Sequence, residues 1–181
     1  MEDKLIDIYD ESNKLTHVQK TKSEAHKDGL WHRSAHVWIY NSKGEILLQL
    51  RAKHKFIYPD KWDISSAGHV IPGEKPLATA LREAEEEIGL KIKKDDLQFF
   101  GIKKASEAHG KIRNNEFYYI YFLKYDGGIE KLKLQSSELQ KVRFLPINKL
   151  EEELRKKPNK YTPHGDYWFE IIEEVKKKLK I

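Results

Sequence analysis

Gly68-His-Val-Ile-Pro-Gly-Glu74-Lys-Pro-Leu-Ala-Thr-Ala-Leu-Arg82-Glu83-Ala-Glu-Glu86-Glu87-Ile-Gly89-Leu90 is a glycine-led loop that runs into a carboxylate-rich helix. Pro76 stands near the first helical position and Gly89 just past the last, where a left-handed residue stops a helix. The helix is therefore predicted over 76 to 88. At about 100° per residue, Glu83, Glu86 and Glu87 fall within one sector. Leu77, Ala80, Leu81, Ala84 and Ile88 form the opposing apolar stripe. The stripe buries, and the carboxylates face the cavity beside it. Glu85, on the other flank, reads as a solvated side chain.

Outward from this helix, apolar runs bounded by turn residues predict strands at about 4 to 9, 14 to 20, 35 to 40, 45 to 50, 98 to 104, 116 to 124 and 140 to 145. Asn41-Ser-Lys-Gly44 reads as a hairpin turn. A second helix is predicted over 147 to 156, stopping before Pro158. A last helix is predicted over 164 to 179, where Trp168, Ile171, Ile172, Val175 and Leu179 repeat at helical spacing. Strands interleaved with helices give an α/β fold, a mixed β-sheet packed between α-helices as an α/β/α sandwich. No repeat or linker interrupts the chain, so residues 1–181 read as a single domain.

The composition narrows the function classes. Hydrophobic residues make up 39% and charged residues 35%, which suits a soluble globular protein. No apolar run is long enough to span a membrane. The start, Met1-Glu-Asp-Lys, lacks the pattern of a secretory signal. With no cysteine, disulfides, thiolate zinc sites and cysteine nucleophiles are excluded, and the cytoplasm is the expected compartment. The net charge of +5 is the balance of 34 basic and 29 acidic residues, and no nucleic-acid recognition motif accompanies it. Neither a nucleic acid nor a membrane is expected as a partner.

Glutamates set three and four apart repel one another unless a cation neutralises them. Hard divalent cations take oxygen ligands, spread charge on phosphoryl oxygens and activate water, so this cluster suits cleavage of a diphosphate bond. The spacing Gly68, five residues, Glu74, seven residues, Arg82-Glu83, two residues, Glu86-Glu87, one residue, Gly89 resembles the Nudix box with every fixed polar and glycine position filled. Ala84 is smaller than the usual aliphatic residue. The resemblance implies Mg²⁺ or Mn²⁺ held by Glu83, Glu86, Glu87 and the Gly68 carbonyl, with Arg82 and Glu74 bracing loop against helix. It also implies a small-molecule diphosphate substrate and, as in many relatives, a homodimer.

Trp31-His32, His36-Val-Trp38, Arg51-Ala52, Lys55, Pro59, Trp62 and Gly68-His69 further resemble the Nudix branch that contains isopentenyl-diphosphate isomerases. In that branch the positions of His32, His69 and Glu116 bind metal, and those of Arg51 and Lys55 contact the diphosphate. Arg51 and Lys55 suit phosphate by their donor geometry, and read otherwise as solvated charge. His32, beside Trp31 at a strand start, also reads as a packed surface residue, and His69 as a contact to metal or phosphate. Glu116 opens an apolar strand and needs a partner or a role: a second metal ligand or a base that orients water. Glu138 is its rival as base. A further isomerase histidine falls at Ala25, with His26 one place out of register. Trp31, Trp62, Tyr118 and Tyr161 could stack on a base or belong to the core.

Two departures separate the chemistries. Where the isomerases carry a catalytic cysteine this chain has Ala67, and where their box carries a basic residue it keeps Glu83. The expectation is a metal-dependent hydrolase of a nucleoside diphosphate derivative or similar molecule by water attack at phosphorus, with Glu83, Glu86, Glu87 and Glu116 catalytic. The alternatives are an isomerase-like enzyme and a binding module that does not turn its ligand over.

Overall fold

The structure, a computed structural model, describes residues 3–55, 57–110 and 112–181. Met1 and Glu2, part of the segment read for a leader, lie outside the described residues.

The organising strand is β3 (Trp31–Tyr40). By the period of two, His32, Ser34, His36 and Trp38 share one face, and Ala35, Val37 and Ile39 the other. It runs parallel to β8 (Ile112–Lys124), from Trp31 opposite Asn115 to Tyr40 opposite Lys124. It pairs antiparallel with β1 (Leu5–Tyr9), β4 (Glu45–Arg51) and the short β6 (Ser66–His69). Beyond these, β2 (Leu15–Thr21) lies on β1 and β7 (Gln98–His109) on β8, while β9 (Leu139–Pro146) and β5 (Trp62–Asp63) lie on β4. One parallel pair among antiparallel ones makes the sheet mixed, as expected.

Both faces are covered. Helices α3 (Ile147–Lys156) and α4 (Tyr167–Leu179) set Leu150, Ile171 and Val175 against Trp38, Ile46, Leu48 and Phe122. On the other face α2 (Pro76–Ile88) sets Ala80 and Ile88 against Ala35, Val37, Ile39 and Leu47. Ala80, Ala84 and Ile88 are fully buried, so truncating Ile88 to Ala would cost about 2–5 kcal/mol. That packing fixes the rotation of α2 and with it the direction of its glutamates. A short helix, α1 (Lys22–Asp28), rests Ala25 on Ile6 and Ile8. No described helix is long and apolar enough to cross a membrane.

Several boundaries differ from the sequence expectation. β3 begins at Trp31 rather than 35, because His32, Arg33 and Ser34 break the apolar run yet find ladder partners in β8. The β7 and β8 strands extend to a long hairpin through Ser106, Glu107, Asn114 and Asn115 for the same reason. α4 starts at Tyr167 rather than 164, after the left-handed Gly165. β5 and β6 are too short for a periodic signal. Helix α1 did have a local signature: Thr21 and Glu24 form a capping box, and Gly29 ends the helix at φ 65°.

Candidate active site

The site forms where α2 meets β6. Gly68 lies opposite Ala35 in the β3 pairing, and a β-carbon there would collide with the Glu83 carboxylate. Glycine is therefore what lets helix and strand approach this closely. Glu87 is buried, and its Oε2 accepts a hydrogen bond of 3.1 Å from the Ala67 amide. Arg82 is clamped by Glu74 through Nε and Nη2, both at 3.0 Å, and its Nη1 reaches Glu83 at 2.6 Å and the more exposed Glu86 at 3.3 Å. Burial pushes Glu87 up to about 8, and the neighbouring Glu83 charge adds to the shift. Burial raises Glu83 as well, with Arg82 opposing. The carboxyl oxygens of Glu83 and Glu87, one arginine between them and Glu86, fit a hard divalent cation that would hold both ionised.

On the other face of β6 lies a second cluster. His26, His32, His69 and Glu116 each offer one ligand atom, all within 4.8 Å of one another. The three rings sit 5.1, 5.2 and 5.4 Å apart between centroids. The rings come from α1, β3 and β6 and the carboxylate from β8: His32 is opposite Glu116 across the parallel pair, and His69 opposite Ser34 across the antiparallel one. His32 Nδ1 donates to the Leu30 carbonyl at 2.8 Å, which leaves Nε2 facing Glu116 Oε1 at 3.1 Å. His69 Nε2 lies 2.9 Å from the same oxygen, off the line of a hydrogen bond, and His26 Nε2 is buried without a partner among the described residues.

Burial depresses His26 to about 4 and His69 to about 3, so both rings are neutral with a lone pair to give. Burial alone would raise Glu116, but the His32 and His69 ring nitrogens beside it outweigh that and hold it well below the usual carboxylate range. Orphaned imidazole nitrogens converging on one carboxylate fit a transition-metal ion, for which three imidazoles and a carboxylate are a suitable donor set. The Leu30 carbonyl on His32 and the Ser34 hydroxyl on Glu116, at 3.2 Å, orient two of the donors.

Residues of both clusters, Glu83, Glu86 and Glu87 with His26, His69 and Glu116, line one cavity of about 350 Å³. Lys22, Arg51, Lys55 and Glu138 also line it. Lys55 is ion-paired with Glu138. Arg51 binds Asp63 at 3.0 Å and the carbonyls of Ile57 and Tyr58, which ties its fork to the cavity wall. Burial and the nearby Lys55 and Arg51 charges lower the Lys22 ammonium, with Glu116 opposing.

The structure thus brings every expected site residue, Arg51, Lys55, Gly68, His69, Glu83, Glu86, Glu87 and Glu116, to one cavity. Two readings are corrected. His32 is fully buried rather than a surface residue. His26, one place out of register with the isomerase pattern, nevertheless stands with the other histidines, carried there by α1 and the turn at Gly29. Lys22, Asp63, Glu107 and His164 were missed because their neighbours are distant in sequence. Of the four aromatics, Tyr118 lines the cavity; Trp31 packs on Phe117, Trp62 lies under Arg143, and Tyr161 is buried against Trp168.

Fold and site define a class: a mixed-sheet α/β/α protein that gathers carboxylates, imidazoles and ammonium groups around one cavity suited to divalent cations and phosphoryl oxygens. A family model described as the NUDIX domain matches residues 8–165, and the chain belongs to the Nudix family of hydrolases, whose members are generally dependent on divalent metals. It is 36% identical to the protein named Nudix hydrolase 3 of Arabidopsis thaliana over 184 residues, 96% of this chain and 24% of that protein. The chain therefore spans about a quarter of the length of that relative. It is also 31% identical to an isopentenyl-diphosphate Delta-isomerase of Serratia proteamaculans, covering 95% of this chain and 90% of that one. Among solved structures, a Deinococcus radiodurans protein superposes with a TM-score of 0.70 at 20% identity, covering 95% and 99% of the two chains. The NUDIX domain of a Shewanella oneidensis protein complexed with ADP ribose does so at 0.59 and 13% identity, covering 82% and 88%.

Proposed function

We propose that this protein hydrolyses a diphosphate linkage in a small molecule by water attack at phosphorus, with Mg²⁺ or Mn²⁺ at Glu83, Glu86, Glu87 and the Gly68 carbonyl. The observation that carries the reading is that Glu83 and Glu87, packed against Gly68, share one cavity with Lys22 and Lys55. Bound cations supply charge neutralisation on the diphosphate and lower the pKa of water. Lys22 and Lys55 bind phosphoryl oxygens, and Arg51 holds the wall from which Lys55 reaches. Lys55, on turning to the substrate, releases Glu138 to take the proton of the attacking water. Glu116, already committed to His32, His69 and Ser34, is assigned as a ligand of a second ion with His26, His32 and His69.

An isomerase reading has the sequence likeness behind it, but Ala67 offers no proton to carbon. A pure binding role leaves the half-buried Glu83 and buried Glu87 without a purpose. Incubation with nucleoside diphosphate derivatives, dinucleotides, sugar nucleotides and isopentenyl diphosphate in ¹⁸O-water tests all three readings. Label in a phosphate product supports hydrolysis. A shifted carbon–carbon double bond without phosphate release, or no reaction across the panel, sinks it. The reading extends to a single domain, working in the cytoplasm as a homodimer, which sedimentation of the purified protein would check for assembly.

A further inference from the structure

The floor of the cavity continues along β3 beyond the histidine cluster. His32, Ser34 and His36 share one face, and His36 stacks on Tyr118 with centroids 4.2 Å apart. The segment between α3 and α4 brings His164 over this end, 6.5 Å from His36 and 6.4 Å from Tyr118 between centroids. Ala67, opposite His36 in the β3 and β6 pairing, contributes only a methyl group. A group attached beyond the diphosphate therefore meets Tyr118, His164, Asp63 and Glu107, which all line the same cavity.

Two carboxylates at this end differ in how fully they are bonded. Asp63 is saturated: Oδ1 accepts from His164 Nε2 at 3.0 Å, Thr162 Oγ1 at 2.8 Å and the Ile64 amide at 2.9 Å, and Oδ2 accepts from Arg51 at 3.0 Å. Glu107 is not. Its Oε1 takes two long bonds, 3.3 Å from the Tyr118 hydroxyl and 3.5 Å from His164 Nδ1, and its Oε2 has no hydrogen-bond partner among the described residues. Burial would lower His164, but its bonds to Asp63 and Glu107 lift it to about 9, so the ring is protonated and both nitrogens donate. The remaining capacity of this wall is that of an acceptor.

We propose that Glu107, aligned by the His164 and Asp63 pair, is a specificity-determining residue that accepts hydrogen bonds from a hydroxyl-bearing group, such as a sugar, carried beyond the diphosphate. The inference rests on the diphosphate reading of the cavity and names the part of the substrate that reading leaves open. A hydrocarbon tail in the same place strips water from a half-bonded carboxylate and gives nothing back, which lowers affinity by about tenfold to a hundredfold. A sugar replaces the lost water with its own hydroxyls. His164 acts through Glu107 and is a positioning residue.

Calorimetric binding of UDP-glucose, geranyl diphosphate and inorganic pyrophosphate, with Ca²⁺ in place of Mg²⁺, tests this apart from turnover. Wild-type protein is expected to bind UDP-glucose at least about tenfold more tightly than geranyl diphosphate. In Glu107→Leu that preference is lost or reversed while pyrophosphate binding stays unchanged, and Glu107→Gln, which keeps an acceptor oxygen, falls between. Geranyl diphosphate binding as tightly as UDP-glucose to the wild type overturns the proposal. So does a parallel loss of all three ligands in Glu107→Leu, which would mark a merely structural role, or no binding of any of them. A protein that binds as expected but hydrolyses nothing would sink the hydrolase reading and leave the preference standing.

Discussion

The carboxylate and histidine clusters at this cavity differ in how they are built. The carboxylates Glu83, Glu86 and Glu87 stand on one helix, α2, and their relative placement is a consequence of helical periodicity. The histidine cluster draws one residue each from α1, β3, β6 and β8, and exists only once the sheet register is set. The first is oxygen-rich and crossed by Arg82, the second is imidazole-rich and more deeply buried. A single short strand, β6, separates them, with Gly68 turned to one and His69 to the other. Local geometry alone places the carboxylates, whereas the histidine set needs the whole fold.

The largest effect is expected at Glu87. Glu87→Gln removes a ligand from the first cluster and is expected to lower kcat by about 10²–10³-fold. Because burying Glu87 without metal requires it to take up a proton near neutral pH, the substitution removes that cost, and the metal-free melting temperature should stay level or rise. Retained turnover, or a collapsed melting temperature, would show that Glu87 serves the fold rather than the chemistry.

A smaller effect is expected at the second cluster. His26→Ala combined with His69→Ala should weaken binding of a transition-metal ion such as Mn²⁺ or Zn²⁺ at that cluster by at least about 10–100-fold. Hydrolysis should fall less than in Glu87→Gln, since the first cluster is untouched. Loss of activity equal to that of Glu87→Gln would mean the two clusters act as one.

Acidity sharpens the contrast further. In EDTA, the raised Glu87 and His164 both bind protons more tightly folded than unfolded. The Glu87 contribution is fully present below its unfolded value of about 4.5 and is lost as pH rises through about 8. That of His164 is present below 6.5 and is lost as pH rises through about 9. The metal-free melting temperature should therefore fall between pH 6.5 and 9. Mg²⁺ should remove the Glu87 part of that slope and leave the His164 part. A melting temperature that climbs across this window in EDTA would contradict the buried, metal-free state of Glu87.

The same contrast explains what could be read from the sequence. The box from Gly68 to Leu90 was legible because its signal is local: glycine, spacing and an amphipathic helix. The α/β/α layering was legible from apolar periodicity, and 147 to 156 matches α3 as observed. The strand starts at Trp31 and Ile112 were not, because polar residues there are stabilised by ladder partners and by the cavity rather than by burial of an apolar face. His26 was displaced by a helix whose capping box went unused as a signal. Asp63, Glu107 and His164 meet across three separate segments and carry no pattern that one sequence exposes.

Two chemically distinct ion sites in one cavity would fill independently. Titrating EDTA-stripped protein with Mn²⁺ by calorimetry tests it most directly. The account predicts two binding events per chain, one lost in Glu83→Gln with Glu87→Gln and the other lost in His26→Ala with His69→Ala. A single event abolished by either pair of substitutions would contradict it.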